Sequence, residues 1–425
     1  MLSRSRSVPA TLALLAALAC APLAHADEVL ATEGKGRLVK RADGQRVMYL
    51  AGTPYEMGFQ HGRLLGEEVR RNIGRIYDNP GELGKSLEFQ VYKLARPLMY
   101  ARLRTHVPPR FVEEMRGLAA GAGATYAQVE AVNLFPEAFH CSGIALTGKA
   151  TRDASLYHVR ILDYFTKLGL QDTALVIDQS PDGHHRWLNV GFAGFIGSVT
   201  GMNAQGISVG EMGGKGLLYW NGLAMPLLVR DALERASTLD QACEIFQSTP
   251  RTCEYYYVIG DGKTDDARGV WATPDRIEFM KPGESFGFCE YDRPGKGAEG
   301  DKVLLRNVKV EQRTYGISLK SGDGKTETYV ATPPEGALVM TGFDRYCHFA
   351  DRLQPVYGKV DEKALMEMVK RPVSMGSNLH NAIFHPKTRR VWVAVAKLDG
   401  SPACDQEYHE YSLPDAAPAA PPPSR

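Results

Sequence analysis

The fold of this chain is indicated by one stretch, Cys141–Phe165, which reads CSGIALTGKATRDASLYHVRILDYF. Two runs of apolar and β-branched residues, CSGIALTG and SLYHVRILDYF, flank a polar segment. This pattern predicts two strands joined by a short connection. The first strand begins with a cysteine, and the second carries two opposite charges, Arg160 and Asp163, among apolar neighbours. The stretch therefore combines a predicted hairpin with a thiol and a charged pair.

The pattern of the chain changes at this hairpin. Between residues 53 and 135, apolar side chains recur at helical intervals, as in GFQHGRLLGEEVRRNIGRIYD. After Cys141, short apolar and aromatic runs are separated by Gly, Asn and Asp, which is typical of strands. Helices are predicted within 223–248 and 361–371. Strands with helices grouped between them predict an α+β fold, and the short connections favour antiparallel sheets.

The two ends of the chain differ from the rest in composition. Residues 1–26 combine arginines, an apolar run and an A-x-A cleavage signal, which is the pattern of a secretory signal peptide. A lipid-anchored Cys20 is the alternative interpretation. We therefore divide the chain into this signal, a mainly helical segment 27–140, a strand-rich region 141–413 and a Pro/Ala-rich tail 414–425. A periplasmic or secreted protein is expected.

Composition argues against several classes of function. The chain has 50 basic and 49 acidic residues, so it has no excess charge to attract nucleic acid or an anionic membrane. No apolar run after the signal has membrane-spanning length. The 44% of hydrophobic residues is ample for a large core. The sequence predicts an exported globular protein with no nucleic-acid partner and no membrane span.

Cysteine usage permits disulfides without requiring them. The chain after the predicted signal has six cysteines, which are too few for its length to form a framework on which the fold depends, and their spacing does not select pairs. If Cys141 is a working thiol, at least one of the other five is also unpaired. The six are Cys141, Cys243, Cys253, Cys289, Cys347 and Cys404.

Cys141 has no histidine in an obvious partner position, although cysteine enzymes usually pair the thiol with one. If the peptide bond before Cys141 is cut, however, the new α-amine lies on the same residue as the thiol. Its reference pKa of about 7.7 to 8.0 allows it to accept a proton near neutral pH. Covalent connection already holds the two groups together. We therefore interpret Cys141 as a nucleophile whose own amine is its base.

The charged pair in the second strand fits this interpretation. Burial of either charge alone would be expensive, so the two are expected to be paired or to face a substrate. Arg160 would then stabilise thiolate character or a substrate oxygen, and Asp163 would orient the new ammonium group. Residues three apart lie on opposite faces of a regular strand. Both can serve one site only if the strand ends, twists or bulges near Ile161 and Leu162. A structural ion pair is the alternative.

Four stretches carry a resemblance to a known family. In chain order they read GTPYEMGFQHGRLLGEEV, CSGIALTGKATRDASLYHVRILDY, GFIGSVTGMNAQGISVGEM and NLHNAIFHPKTRRVWVAVA. Together they resemble the peptidase C45 or penicillin acyltransferase family of cysteine N-terminal-nucleophile hydrolases, and more distantly bile salt hydrolases and acid ceramidases. The resemblance implies an αββα sandwich, in which two antiparallel sheets lie between helical layers, preceded by a helical pro-segment.

The resemblance also implies a reaction. The precursor would cut itself between His140 and Cys141 into α and β chains that remain partners. Cys141 would be the nucleophile of both self-cleavage and acyl transfer, Asp163 would support its amine, and Arg160 would shape the site. The substrate would be an N-acylated small molecule, attacked at its amide carbonyl to give a thioester that water or an acceptor amine releases. No cofactor and no metal are implied.

Two positions depart from the family pattern. Many relatives have glycine before the nucleophile, where this chain has His140, and the Thr-Asn pair that stabilises an oxyanion reads Thr341-Gly342 here. Backbone amides, Asn203 or Asn378 are the candidate replacements. Asn203 lies in GMNAQG, a sequence typical of a tight turn. These departures leave a second hypothesis open, in which the protein is a non-catalytic binding or envelope protein with the same fold.

Three other motifs have ordinary structural interpretations. Ser208 lies in a G-x-S-x-G match, but no helix follows it, so a strand residue is favoured over a nucleophile. His184 and His185 follow Asp182 in a predicted turn, which does not favour a metal site. The glycines of GGKG lack the flanking strand, helix and Lys-Ser/Thr of a phosphate-binding loop.

Overall fold

The computed structural model describes residues 26–78, 85, 87–134, 141–164, 166–213, 219–284, 286–289, 305–306, 328–331, 334–341 and 343–414. Several predictions lie outside these ranges. They concern the signal segment up to His25, including Cys20, the proposed cleavage residue His140, Gly342, and the tail from Asp415 onward.

A large sheet of ten strands forms one half of the structure. Its neighbouring strands are antiparallel except for β3 and β6, which are parallel. The prediction of wholly antiparallel sheets is wrong at this pair. Parallel strands need a long connection, and here it contains five α-helices and two strands of another sheet. In spatial order the strands are β1 Glu28–Glu33, β2 Gly36–Lys40, β3 Arg46–Gly52, β6 Ala174–Pro181, β7 Trp187–Phe192, β8 Thr200–Asn203, β9 Ile207–Gly213, β10 Tyr255–Asp261, β11 Asp266–Ala272 and β12 Ile277–Met280.

A second sheet of six strands is antiparallel throughout. The predicted hairpin of the opening stretch forms its β4 and β5. In spatial order the strands are β16 Ala337–Met340, β4 Ser142–Gly148, β5 Ala154–Asp163, β17 Asn378–His385, β18 Arg390–Val395 and β19 His409–Ser412. A small third sheet contains β13 Phe286–Cys289, β15 Thr328–Ala331 and β14 Leu305–Arg306.

The helices start where the local sequence provides caps. Thr53 and Glu56 form a reciprocal capping box at the start of the first helix, and Thr238 caps the helix predicted within 223–248. The segment 27–140 contains three strands before its helices, which the helical periodicity from residue 53 did not predict. The helices are α1 Pro54–Leu64, α2 Gly66–Ile73, α3 Leu87–Arg104, α4 Pro109–Ala122, α5 Tyr126–Asn133, α6 Met225–Arg235, α7 Leu239–Ser248, α8 Phe343–Leu353 and α9 Glu362–Met368.

The two large sheets face each other, and helices cover their outer faces. Between the sheets, Ala145 of β4 belongs to the same buried cluster as Met212 of β9 and Val258 of β10. Gly143 is required here, because a Cβ atom would lie 2.6 Å from the sulfur of Met212. Helices α1, α4, α6 and α7 pack on the larger sheet, and α8 and α9 pack on the smaller one. The predicted α+β fold with an αββα sandwich is confirmed.

None of the helices in the ranges given above is long and apolar enough to cross a lipid bilayer.

Candidate active site

Cys141 lies directly before β4, between the two sheets. Its side chain is 1% exposed and packs in a cluster with Leu162 and Phe192. Burial raises the pKa of the Cys141 thiol to about 11, while the nearby cation of Arg160 opposes this shift. In the intact chain the thiol is therefore protonated at neutral pH, and it needs a proton acceptor before it can act as a nucleophile.

Arg160 of β5 is the cation beside this thiol. It is fully buried between the sheets and forms a side-chain hydrogen bond with Cys141. Its Nη2 lies 3.3 Å from Oε2 of Glu211, and its Nε donates to the carbonyl oxygen of Val199 at 3.4 Å. Gly210 makes room for it, since a Cβ atom there would lie 3.0 Å from Cδ of Arg160. Arg160 can therefore stabilise a thiolate in this dry environment.

Glu211 is the buried counter-charge, and the sequence analysis did not identify it. It lies on β9 of the opposite sheet and pairs with Arg160 across the interface. A lone carboxylate in the apolar strand ISVGEMG is the sequence feature that could have indicated a buried charge here. Burial raises the pKa of Glu211 to about 7, although Arg160 opposes the shift. Its Oε1 has no hydrogen-bond partner in the part of the chain that the structure describes.

The raised pKa of Glu211 predicts a pH-dependent stability. The unfolded chain releases this proton near the ordinary value of 4.5, whereas the folded protein holds it up to about 7. The unfolded state therefore binds fewer protons in this window, and the free energy of unfolding should fall as pH rises through it. Between pH 5 and 7 this group should account for about 2 kcal/mol, at roughly 1.4 kcal/mol per pH unit.

The measurement is urea unfolding of Cys141→Ala, with and without Glu211→Gln, because the alanine removes the predicted nucleophile of self-cleavage. The glutamine variant should lose this part of the pH dependence. Equal slopes of stability against pH in the two variants would show that Glu211 does not titrate in this range.

Asp163 ends β5 and lies on the opposite face from Arg160. Ser142 pairs with Ile161, so continuing the antiparallel register places Leu162 across from Cys141 and Asp163 one position beyond, on the N-terminal side of the cysteine. The neighbouring strand β17 has an irregularity at this step, between residues 378 and 380. The extra residue of this irregularity lies on β17, so β5 keeps its regular alternation, and of the features expected near Ile161 and Leu162 the end of β5 at Asp163 is the one observed on this strand.

The carboxylate of Asp163 is held by two groups. Oδ1 accepts a hydrogen bond from the backbone N–H of Met375 at 3.0 Å, and Oδ2 lies 2.8 Å from Nη2 of Arg345. Burial raises the pKa of Asp163, and the cation of Arg345 opposes this. Arg345 lies on α8 and was missed by the sequence analysis, which considered only the neighbouring Thr341 and Gly342. Arg345 is far from Asp163 in the chain, so no local sequence pattern indicates that the two residues meet.

The asparagines proposed as oxyanion donors have other partners. Nδ2 of Asn203 donates to the carbonyl oxygens of Leu233 and Ala236, both at 2.8 Å, and its Oδ1 accepts from two backbone N–H groups of its own turn. It therefore ties the turn to the end of α6 and has no hydrogen left for an oxyanion. Asn378 lies next to Asp163, where its Nδ2 donates to Leu162 and Asn381.

The remaining motifs have structural roles. Ser208 is a buried residue of β9 whose Oγ lies 2.8 Å from Nδ1 of His158. Burial lowers the pKa of His158 to about 3, so this histidine is neutral. His184 contacts the carbonyl oxygen of Asp182, and His185 contacts a serine hydroxyl. Within the described residues, no group of three or more His, Cys, Asp or Glu side chains could hold a metal ion.

A cleft opens beside the end of β5, where Leu162 and Tyr164 line it. It contains about 710 Å³ of free space, part of it open to solvent. Leu162, Val199 and two phenylalanines contribute apolar surface, and α5 contributes Val132. Val199 also accepts the hydrogen bond from Arg160, which links one wall of the cleft to the charged site. An apolar group of a ligand would fit this surface. The phenylalanines are Phe192 and Phe195.

Comparisons with known proteins show what this chain is similar to. Residues 150–278 match the family model described as acyl-coenzyme A:6-aminopenicillanic acid acyl-transferase. An uncharacterized protein of Archaeoglobus fulgidus is 28% identical over 273 residues, which cover 56% of this chain and 44% of that protein. An acid ceramidase of Balaenoptera acutorostrata scammoni is 25% identical over 41% of this chain and 49% of its own length.

One solved structure with a similar chain is a Caenorhabditis elegans ortholog of N-acylethanolamine-hydrolyzing acid amidase. It has a TM-score of 0.41 and 16% identity, and the match covers 64% of this chain and 100% of that one. The chain spans about half the length of the curated relatives it matches. The predicted resemblance to the penicillin acyltransferase family is therefore confirmed over residues 150–278, the range that contains Arg160, Asp163 and Glu211.

Proposed function

We propose that this chain is an exported cysteine amide hydrolase or N-acyltransferase that cuts itself before Cys141 and then forms a thioester with the acyl group of its substrate. The observation that carries the proposal is the buried thiol of Cys141 hydrogen-bonded to Arg160, with Asp163 one register position beyond it. The family match over residues 150–278 supports the same class of chemistry.

The proton steps follow from the α-amine that cleavage would release. This amine takes the thiol proton, and the thiolate attacks the amide carbonyl of the substrate. The tetrahedral intermediate collapses, the amine product leaves with a proton, and the acyl group stays on Cys141 as a thioester. Water or an acceptor amine then attacks the thioester, and the thiol is restored.

The charged residues have separate roles in this proposal. Arg160 stabilises the thiolate, and its hydrogen bond fixes the direction of the sulfur. Asp163 accepts a hydrogen bond from the new amine and fixes its position relative to the sulfur. Glu211 keeps the Arg160 side chain in place from the opposite sheet, at 3.3 Å.

The adjoining cleft favours substrates with an apolar acyl group. Its walls combine residues before and after Cys141, so the α and β chains would both contribute to binding. The two segments are also held together elsewhere. Strand β3 lies in the same sheet as β6, and Arg230 of α6 forms a buried ion pair with Glu114 of α4, with Nη1 2.8 Å from Oε1. We therefore expect the chains to stay associated after cleavage.

The proposal is tested by incubating the purified protein with a panel of N-acyl compounds that differ in acyl length and in amine. Denaturing electrophoresis should first show two chains, and N-terminal sequencing should find one that begins Cys-Ser-Gly. Intact-mass spectrometry should then show acyl adducts on that chain. Apolar acyl groups should give at least about tenfold higher kcat/KM than short polar ones, since each buried methylene contributes about 0.8 kcal/mol.

A different result would favour the non-catalytic alternative. A single intact chain that forms no adduct with any member of the panel would indicate a binding or envelope protein.

A further inference from the structure

Arg345 joins two parts of the candidate site through one guanidinium group. Its Nη2 contacts the hydroxyl of Ser142, the residue that follows the nucleophile, and lies 2.8 Å from Oδ2 of Asp163. Its Nε donates to the carbonyl oxygen of Val373 at 2.7 Å, which fixes the direction of the side chain. The side chain is only 13% exposed. These contacts place one cation on both strands of the hairpin that carries Cys141.

We propose that Arg345 is a positioning residue, which keeps Asp163 ionised and fixes it beside the N-terminal side of Cys141 by holding Ser142 at the same time. This inference rests on the proposed function, because it assigns Arg345 to the placement of the amine that self-cleavage would release.

The first support is the geometry of the hairpin. Side chains alternate along β4, so Ser142 points to the α8 side of the sheet while the side chain of Cys141 lies between the sheets. Asp163 also lies on the α8 side. The backbone of Cys141, where the new amine would appear, therefore lies between the thiol on one face and the Ser142, Arg345 and Asp163 cluster on the other. Thr341 adds a second contact to the Ser142 hydroxyl, at 2.5 Å.

The second support is electrostatic. Asp163 is 3% exposed, and a carboxylate at this depth needs a cation or several hydrogen bonds to stay charged. The charged or titratable groups that act on it are Arg345 from α8, Arg160 from its own strand and Cys141 at the start of β4. Arg345 lowers the pKa of Asp163 more than Arg160 does, and of the cations in the described ranges only Arg345 lies within ion-pair distance of it. Among the described residues, Arg345 is thus the principal counter-ion.

The direct test is the titration of Asp163, measured by carbon NMR of the labelled carboxyl group in a Cys141→Ala background. This background needs no enzymatic activity. Arg345→Gln should raise the pKa of Asp163 by at least about one unit, which corresponds to tenfold in the ionisation equilibrium. Arg345→Lys should restore most of the difference, because it keeps the charge. Arg352→Gln is the matched control, since Arg352 lies on the same helix but binds the carbonyl oxygens of Met368 and Lys370.

The second readout is the pH profile of kcat/KM with Cys141 present. Arg345→Gln should lower kcat/KM by up to about tenfold more at pH 6 than at pH 8.5, because a rise of about one unit in the pKa of Asp163 shifts the acidic limb of the profile upward by the same amount. In Arg345→Lys the acidic limb of the profile should stay at the wild-type pH, because the charge is kept. The value of kcat/KM should fall, since a lysine cannot reach Ser142 and Asp163 together.

The outcomes separate the two proposals. If the wild-type protein is neither cut nor active, the proposed function fails, and the titration still decides the role of Arg345. An unchanged Asp163 titration in Arg345→Gln would overturn the inference. So would an activity loss of the same size at every pH, because that pattern indicates a purely structural side chain.

Discussion

Cys141→Ala is expected to yield one uncut chain with no measurable amidase or acyltransferase activity. The substitution removes the only atom that the proposal uses as nucleophile, both for self-cleavage and for the thioester. Loss of a nucleophile typically lowers kcat by about 10⁴-fold or more. Denaturing electrophoresis, N-terminal sequencing and a kinetic assay with the best N-acyl substrate measure the three consequences. The change should cost little stability, because it removes a single sulfur atom and leaves a small apolar side chain in the apolar cluster.

Two matched controls distinguish this effect from general damage. Cys253→Ala removes another buried thiol, whose pKa burial also raises to about 11, and cleavage and activity should persist. Ser208→Ala removes the hydroxyl of the G-x-S-x-G match, and cleavage and activity should persist in this variant too. A Cys141→Ala protein that is still cut and active would contradict the cysteine mechanism. Loss of activity in Ser208→Ala alone would revive the serine interpretation of that motif.

The architecture was predictable where the pattern is local. The alternation in SLYHVRILDYF and the capping residue Thr238 each depend on a few neighbouring residues, so the strand and the helix could be inferred from sequence. Strand β3 could not, because its role depends on a parallel pairing with β6, more than a hundred residues away in the chain. The helical spacing of apolar residues that follows β3 does not indicate that β3 pairs with β6.

The candidate site shows the same division. Cys141, Arg160 and Asp163 could be proposed together because they occur within one predicted hairpin. Glu211 meets Arg160 only when the two sheets stack, across 51 residues of chain, and Arg345 meets Ser142 across 203 residues. The apolar strand around Glu211 indicates a buried carboxylate but not its partner, and the residues around Arg345 resemble an ordinary solvated helix face.

Breaking the buried ion pair between Arg160 and Glu211 is expected to lower both stability and activity, for two different physical reasons. Arg160→Met leaves the Glu211 carboxyl in the interface without its cation, and loss of one partner of a buried pair typically costs about 3 to 5 kcal/mol. The cost should become smaller as pH falls, because Glu211 without its cation takes up a proton more readily. Activity should fall by about 10³-fold, since the thiolate also loses its stabilising cation. Urea unfolding and the kinetic assay measure the two effects.

The double variant Arg160→Met with Glu211→Leu distinguishes a structural role of Arg160 from a role in stabilising the thiolate. Replacing a whole buried pair by apolar side chains is often neutral or stabilising, so most of the lost stability should return. Activity should not return, because burial would still raise the pKa of the Cys141 thiol and Arg160 would no longer oppose it. The rate of Cys141 alkylation by iodoacetamide, measured against pH, reports the thiol directly. If the double variant regains activity along with stability, Arg160 forms only a structural ion pair, and the thiolate must be stabilised by another group.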